Sequence, residues 1–366
     1  MTLALYRRFR PKVFGEVIGQ DSIVTALTNQ VAKGNIGHAY LFTGTRGTGK
    51  TSCAKILAKA VNCLSPINGS PCGECDACKS LSSENSMDII EIDAASNNGV
   101  DEIRALRDSV KYPPINVRYK VYIIDEVHML TDSAFNALLK TLEEPPAHVI
   151  FILATTEPYK LPKTILSRCA RFDFKLVSKE DLISQVRKVF DAISVKYDEE
   201  SLALIADAGE GSVRDTLSVA DCVVAFSGDN ITVDKTLEIL GTSDKKSVNK
   251  LTDAIIDKDL GGVLSTIDEI VSSGKNLVAL NKELITHFKD LLVIKTCKNY
   301  QKMLSVTKDN LEVMERQAAS LDTAAMLAFM QKFSALDQSL KYALSPRNLV
   351  ELACLECASF DLSKKN

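Results

Sequence analysis

The segment GTRGTGKT, Gly44 to Thr51, fits the pattern G-x-x-x-x-G-K-[ST]. Gly44, Gly47 and Gly49 let such a loop turn its backbone N–H groups inward around phosphate oxygens. Lys50 would meet the β- and γ-phosphates of a nucleotide, and the Thr51 hydroxyl would hold Mg2+. Thr45, Arg46, Thr48 and Ser52 complete the loop and the start of the helix behind it, whose partial positive charge favours an anion. Phosphate chemistry also needs an acidic element on a neighbouring strand, and KVYIIDEVH supplies it. Asp125 would orient the Mg2+, directly or through water, and Glu126 would polarise the attacking water. His128 has no second ligand-type cluster near it in sequence and reads as structural. Guanine-specific loops carry Asn-Lys-x-Asp. The segment from Asn281 to Leu284 begins that way but lacks the aspartate and lies far downstream, so adenine is favoured.

Between the loop and the acidic strand stand four of the ten cysteines, Cys63, Cys72, Cys75 and Cys78, spaced C-x8-C-x2-C-x2-C. Four thiolates so close suit a tetrahedral Zn2+, with an iron–sulfur cluster as the rival. A site closed by four cysteines has no open position for water, so the metal would be structural. The insert, about residues 62–80, is rich in Gly, Pro and Ser and buries little apolar surface; a metal cross-link would replace the missing core. Disulfides fit neither the short steps nor a reducing compartment. Cys354 and Cys357 form a C-x2-C inside a helical pattern with no second pair. Cys53, Cys169, Cys222 and Cys297 read as small core residues.

These residues need elements to hold them. Segments 38–44, 87–93, 120–126, 149–156 and 171–176 are short, apolar and rich in Ile, Val, Phe and Tyr, as buried parallel strands are. Helical patterns alternate with them, which implies an α/β sandwich over 1–176. After about Val177 the strands stop, and Ser178 with acidic residues behind it reads as a helix N-cap. A small helical domain is expected over 177–242 and a helical C-terminal domain over 243–366, with the polar stretch LGTSDKKS, 240–247, at the boundary. A chain of 366 residues is too long for one simple core, in keeping with two or three domains.

With 46% hydrophobic and 25% charged residues the chain is neither disordered nor fibrous. No apolar run approaches the roughly 18 residues of a membrane span, and the first residues lack the pattern of a secretory signal. A cytoplasmic protein with reduced thiols is the expectation. The net charge of −3 excludes a generally basic nucleic-acid binder. The charge is uneven, +3 over 1–176 and −6 beyond, so any basic surface belongs to the first part; a chance scatter of solvated charges explains the difference equally.

The motifs YRRFRPKVFGEVIGQ, GTRGTGKTS, the four-cysteine insert, EIDAASNNGV, IIDEVHML, LLKTLEEPP, FILATTEPYKLPKTILSRC and GSVRD follow one another in an order that resembles the bacterial DNA polymerase III tau/gamma subunits. The match is dense over the first 240 residues and rests mainly on length and helicity beyond. Those proteins are AAA+ ATPases of the sliding-clamp loader, so the resemblance implies an AAA+ phosphate-loop domain, a helical lid and an all-helical oligomerisation collar. It implies that Thr155 is a sensor near the γ-phosphate and that Arg168 is an arginine finger entering a neighbouring subunit's site. Without the resemblance, a surface ion pair would be the simpler reading of Arg168. Arg168 is expected at the edge of the sheet far from its own phosphate loop. Arg214 becomes the lid's sensor, and Tyr6, Arg7, Arg10, Pro11, Val17 and Ile18 wrap the adenine and ribose. The cysteines match the family's zinc ligands. The implied partners are the other loader subunits in a hetero-pentameric ring, the sliding clamp, and primer–template DNA held by its phosphates rather than its bases. Ser96, Asn97, Asn98, Lys140, Thr156 and Lys160 are the candidate DNA contacts, by resemblance and by their place after strand or helix ends; Lys140 and Lys160 read equally as ordinary solvated charges. A non-catalytic scaffold subunit would not need Lys50, Asp125 and Glu126 together. A branch-migration motor has a similar ATPase half but would end in a winged-helix domain.

Overall fold

The computed structural model describes residues 3–82, 86–240, 245–274, 276–302, 304, 308–343 and 345–360. The chain forms two compact units, Met1–Ile239 and Leu240–Asn366.

In the first unit, β1 (Ala39–Thr43), β2 (Ile89–Asp93), β3 (Lys120–Asp125), β4 (Val149–Thr155) and β5 (Ala170–Asp173) form one parallel sheet in the order β2-β3-β4-β1-β5. The three central strands are covered on both faces, hence their near-continuous apolar sequence. The edge strands are partly exposed and carry Glu91, Asp93, Arg171 and Asp173. Only the first half of the 171–176 segment pairs as a strand. Phe174 N donates to Thr43 O at 2.7 Å, and the chain then leaves the sheet. Alternate residues pack into two cores, one around Tyr40, Phe42, Leu57 and Ile152, the other around Leu41, Tyr122, Phe135 and Phe151.

The pairing Thr43↔Thr155 and Ile124↔Leu153 brings the C-terminal ends of β1, β3 and β4 to one edge of the sheet. Ligands of open parallel sheets bind there, and the phosphate loop, the Asp125-Glu126 pair and Thr155 all lie at that edge.

Helices Lys179–Ala192, Glu199–Ala208, Val213–Ser227 and Val233–Ile239 pack around Phe190, Leu202, Ile205 and Leu217. Ser178 caps the first of them, its Oγ accepting from Asp181 N at 3.2 Å. The expectation that strands stop at Val177 needs correction, because β6 (Lys196–Tyr197) and β7 (Asn230–Ile231) pair in parallel. Two-residue strands are too short to show a period.

The second unit is helical among the described residues: Lys245–Ile256, Leu260–Ser272, Leu277–Thr296, Lys308–Ser320, Thr323–Tyr342 and Pro346–Ala358. Its core includes Leu251, Ile267, Leu284 and Val350, with the rings of Phe288 and Phe333 stacked 5.9 Å apart. The compact units divide between Ile239 and Leu240, at the start of the polar 240–247 stretch; residues 241–244 of that stretch lie outside the described residues. No described helix is long and apolar enough to cross a membrane.

Candidate nucleotide site and cysteine cluster

The phosphate loop joins β1 to helix Lys50–Ala60. Gly47 sits at φ +79°, where a side chain is strained, and a Cβ there would run into Ser212 Oγ at the N-cap of helix Val213–Ser227. The contact is closed by Val213 N donating to Gly47 O at 3.1 Å, so the lid rests directly on the loop. Lys50 is buried, and its Nζ donates to Gly44 O and Thr45 O, each at 2.8 Å. Burial lowers its pKa, opposed by the carboxylates of Glu126 and Asp125. Those carbonyls hold the ammonium where an arriving phosphate would compete for it.

Thr51 Oγ1 donates to Asp125 Oδ2 at 2.7 Å, tying the loop to β3. Glu126 follows in a left-handed conformation, φ +46°, which is strained for a residue with a side chain. Its Oε2 accepts from Thr156 Oγ1 at 3.0 Å and Thr156 N at 3.3 Å. Thr155, the residue before Glu126's partner Thr156, is fully buried. Its Oγ1 accepts from Glu157 N at 3.0 Å and lies 3.0 Å from His128 Nδ1. His128 Nε2 lies 3.0 Å from Glu157 Oε2. The histidine that sequence left without partners is therefore surrounded by them in space.

A cleft of about 600 Å³ opens over the loop. Arg46 to Ser52, Asp125, Glu126 and Arg214 line it, together with Tyr6, Arg7, Arg10, Pro11, Val17 and Ile18. Gly44, Thr45 and Thr155 do not line it; the first two are engaged with Lys50. The Arg214 guanidinium stands 5.2 Å over the Tyr6 ring, and Arg7 Nε donates to Tyr6 Oη at 3.1 Å. Arg7, with Arg214 adding to it, lowers the Tyr6 pKa. Leu3, Phe9, Glu16, Gln185, Val213 and Leu217 also line the cleft, and sequence reasoning missed them. Gln185 and Leu217 come from lid helices far along the chain, and no motif marks them.

Arg168 lies outside this cleft. Its Nη2 is 2.6 Å from Glu143 Oε1, and its Nη1 donates to Thr164 O at 2.8 Å. The expected far-edge position is corrected by the topology: β5 is the direct neighbour of β1. Arg168 precedes the N-terminal end of β5, whereas the loop follows the C-terminal end of β1.

Among the candidate DNA contacts, Ser96, Asn97, Asn98, Thr156 and Lys160 follow β2 or β4 at the loop end of the sheet. Ser96 Oγ donates to Asp93 Oδ2 at 2.8 Å, and Lys160 Nζ lies 2.8 Å from Glu157 Oε2. Lys140 is not brought together with them; it is exposed in the last turn of helix Asp132–Glu143, the helix that ends at Arg168's partner.

The Sγ atoms of Cys63, Cys72, Cys75 and Cys78 all lie within 4.8 Å of one another. Cys63 and Cys75 are 3.9 Å apart, and Cys72 and Cys78 are 4.0 Å apart. A tetrahedral site with Zn–S of about 2.3 Å has S···S edges of about 3.8 Å. Backbone N–H groups of Cys72, Cys75 and Cys78 point at Sγ of Cys63, Cys72 and Cys75 from 3.3–3.4 Å. Burial pushes Cys78 up to about 12, while at Cys75 burial is outweighed by the N–H groups of Cys78 and Leu64, which bring it down to about 6. Four ionised thiolates in this space need a cation, so the donor set fits a closed metal site. Of the remaining cysteines, Cys53, Cys354 and Cys357 are buried and their thiols raised by burial. Cys169 is half-buried but packs against the core around Leu41 and Tyr122, and burial raises its thiol to about 11. Cys222 is exposed and Cys297 half-buried, so the expectation that all are core residues is corrected for these two.

The five-stranded parallel order, the phosphate loop after β1, the acidic pair ending β3 and the helical lid together define the AAA+ nucleotide-binding fold. The fold is similar to the Thermotoga maritima RuvB Holliday junction branch migration motor, with a TM-score of 0.50 and 19% identity, over 68% of this chain and 79% of that one. Three family profiles match in succession: DNA polymerase III, delta subunit, over 19–178; DNA polymerase III clamp loader subunit, ATPase lid domain, over 182–229; and DNA polymerase III subunits gamma and tau domain III, over 231–366. DNA polymerase III subunit gamma of Buchnera aphidicola is 43% identical, covering 74% of this chain and 75% of that protein. DNA polymerase III subunit tau of Bacillus subtilis is 46% identical over 96% of this chain, and the chain spans 62% of that relative's length. The chain belongs to the DNA polymerase III gamma/tau family.

Proposed function

We propose that the protein is an ATPase subunit of a bacterial sliding-clamp loader, in which ATP binding assembles a ring that opens the clamp and primed DNA triggers hydrolysis and release. The observation that carries this reading is the joined site of Lys50, Thr51, Asp125 and Glu126 under a lid that touches the loop at Gly47. A scaffold subunit that only held a nucleotide would not need the Glu126 carboxylate.

ATP would sit with its phosphates in the loop and its base between the Tyr6–Ile18 segment and the lid. Lys50 would exchange its two carbonyl partners for phosphate oxygens. Thr51 and Asp125 would hold Mg2+, which supplies charge neutralisation at the phosphates. Glu126 would take a proton from the attacking water, Thr155 would act as sensor close behind it, and Arg214 would bind phosphate from the lid. Arg168 would reach a neighbouring subunit's nucleotide; its place at the opposite end of the sheet from its own loop supports action in trans. The cysteine cluster would hold one Zn2+ as a cross-link.

The division into an AAA+ domain (1–176), lid (177–242) and oligomerisation collar (243–366) is part of this reading, supported by the end of the main sheet at Asp173 and the separate helical core beyond Leu240. So are a cytoplasmic location, a hetero-pentameric ring with other loader subunits, and contacts with the clamp. DNA phosphates would meet Ser96, Asn97, Asn98, Thr156 and Lys160, which share the loop end of the sheet; Lys140 would belong to a separate part of the contact surface. The test is ATP hydrolysis by the assembled loader with and without primed DNA and clamp. Stimulation by both together supports the reading, and hydrolysis indifferent to both rejects it.

A further inference from the structure

His128 lies two residues beyond Glu126, and its side chain is only 6% exposed. It touches three functional neighbours: Thr155 Oγ1 at 3.0 Å from Nδ1, Glu126 Oε2 at 3.5 Å from Nδ1, and Glu157 Oε2 at 3.0 Å from Nε2. Glu157 is in turn held by Lys160 Nζ at 2.8 Å and by the Tyr159 hydroxyl. Lys160 first, then Tyr159, keep Glu157 below the usual carboxylate range. An ionised carboxylate only accepts, so Nε2 carries a hydrogen toward Glu157. Thr155 Oγ1 accepts from Glu157 N and lies 3.0 Å from Nδ1, so the ring and the Glu157 backbone together hold the hydroxyl. His128 thus restrains the Thr155 hydroxyl from a position anchored on the Glu157–Lys160 turn.

We propose that His128 is a positioning residue for hydrolysis, through which the Glu157–Lys160 turn acts on Thr155 and Glu126. The inference rests on the reading of this cleft as an ATPase site stimulated by DNA. Lys160 is exposed at the loop end of the sheet, and a DNA phosphate can draw it off Glu157. With that anchor loosened, the His128–Glu157 pair shifts, and Nδ1 releases the Thr155 hydroxyl and its neighbour Glu126. The Thr155 hydroxyl and the Glu126 carboxylate are then free to rearrange for hydrolysis. No bond is made or broken; one set of hydrogen bonds replaces another.

The experiment measures kcat, KM for ATP and nucleotide affinity of the assembled loader, with and without primed DNA and clamp. The variants are His128→Asn, Glu157→Ala, Glu157→Gln and Lys160→Ala. His128→Asn and Glu157→Ala should each lower the ratio of stimulated to unstimulated kcat by on the order of tenfold, the size of one hydrogen bond, by raising the unstimulated kcat, because each removes the restraint that DNA releases, with nucleotide affinity unchanged. Glu157→Gln, which still accepts from Nε2, should keep most of the ratio. Adding Lys160→Ala to His128→Asn should change little further, because both lie on one route. A merely structural histidine would instead lower nucleotide affinity and melting temperature in both conditions. If His128→Asn fails to fold, the partly exposed Glu157 carries the same comparison. An unaltered ratio in His128→Asn or Glu157→Ala, or full additivity with Lys160→Ala, overturns the inference. Absence of DNA stimulation in the unsubstituted protein rejects the underlying reading instead.

Discussion

The hydroxyl of Thr51 and the carboxylate of Asp125 meet at 2.7 Å, although 74 residues separate them in the chain. That hydrogen bond joins the phosphate loop to the end of β3 and sets Glu126, the next residue, beside the cleft. The division of labour follows from this geometry. In the proposed reading Lys50 and Thr51 would act on the bound nucleotide, whereas Glu126 would act on the water.

Glu126→Gln should therefore retain ATP affinity while hydrolysis falls by about 10²–10⁴-fold, the usual contribution of a general base. Lys50→Ala should lose binding itself. Equilibrium binding of a fluorescent ATP analogue and single-turnover hydrolysis separate the two effects. An unaltered rate in Glu126→Gln would mean that the base is another group.

Gly47 offers a test of the lid contact. Alanine there keeps every functional side chain but places a Cβ against Ser212 Oγ in a left-handed backbone. The conformation alone costs about 1–2 kcal/mol, and the collision pushes the lid, with Arg214, off the loop. Gly47→Ala should weaken ATP binding at least about tenfold. Binding at unchanged affinity would show that the lid contact is dispensable.

The cysteine cluster should bind one zinc per chain. Elemental analysis of purified protein checks it; iron with visible charge-transfer absorption would point to a cluster instead, and absence of metal would remove the site. Cys75→Ser should lower thermal stability and metal content while leaving ATP affinity largely intact, because the insert meets the N-terminal segment at Phe14–Ser70 rather than the phosphate loop.

Arg168 should work between subunits. Arg168→Ala is expected to leave the chain's own nucleotide affinity nearly unchanged and to lower hydrolysis in the ring; the loss of a trans arginine in GTPase systems costs about 10³–10⁵-fold, with less expected where other groups share the charge. Mixing Arg168→Ala chains with Lys50→Ala chains should restore part of the activity at interfaces pairing an intact loop with an intact finger. Co-assembly without recovery would place Arg168 in cis or make Glu143 its only partner.

The groups legible in sequence were those whose chemistry demands a fixed local spacing. The loop from Gly44 to Thr51, the pair Asp125-Glu126 and the four cysteines each announce themselves within a few residues. The central strands were legible because burial on both faces leaves a continuous apolar run. What stayed hidden was assembled from distant segments. Gln185 and Leu217 reach the cleft from separate lid helices, and Tyr6 finds Arg214 across more than 200 residues. His128 read as isolated because its partners Thr155 and Glu157 belong to the next strand and turn. β6 and β7 were too short to carry a period, and the placement of β5 beside β1 is a matter of topology that strand order in sequence does not reveal.

The central claim is that ATP turnover at this cleft moves a clamp onto DNA. The direct measurement is retention of a labelled sliding clamp on circular primed DNA, after incubation with the assembled loader and ATP. The unsubstituted protein should transfer the clamp only when ATP is present, and a loader carrying Lys50→Ala should transfer none. Transfer that proceeds equally without ATP or with Lys50→Ala, or no transfer by an assembled, ATP-hydrolysing complex, would contradict the account.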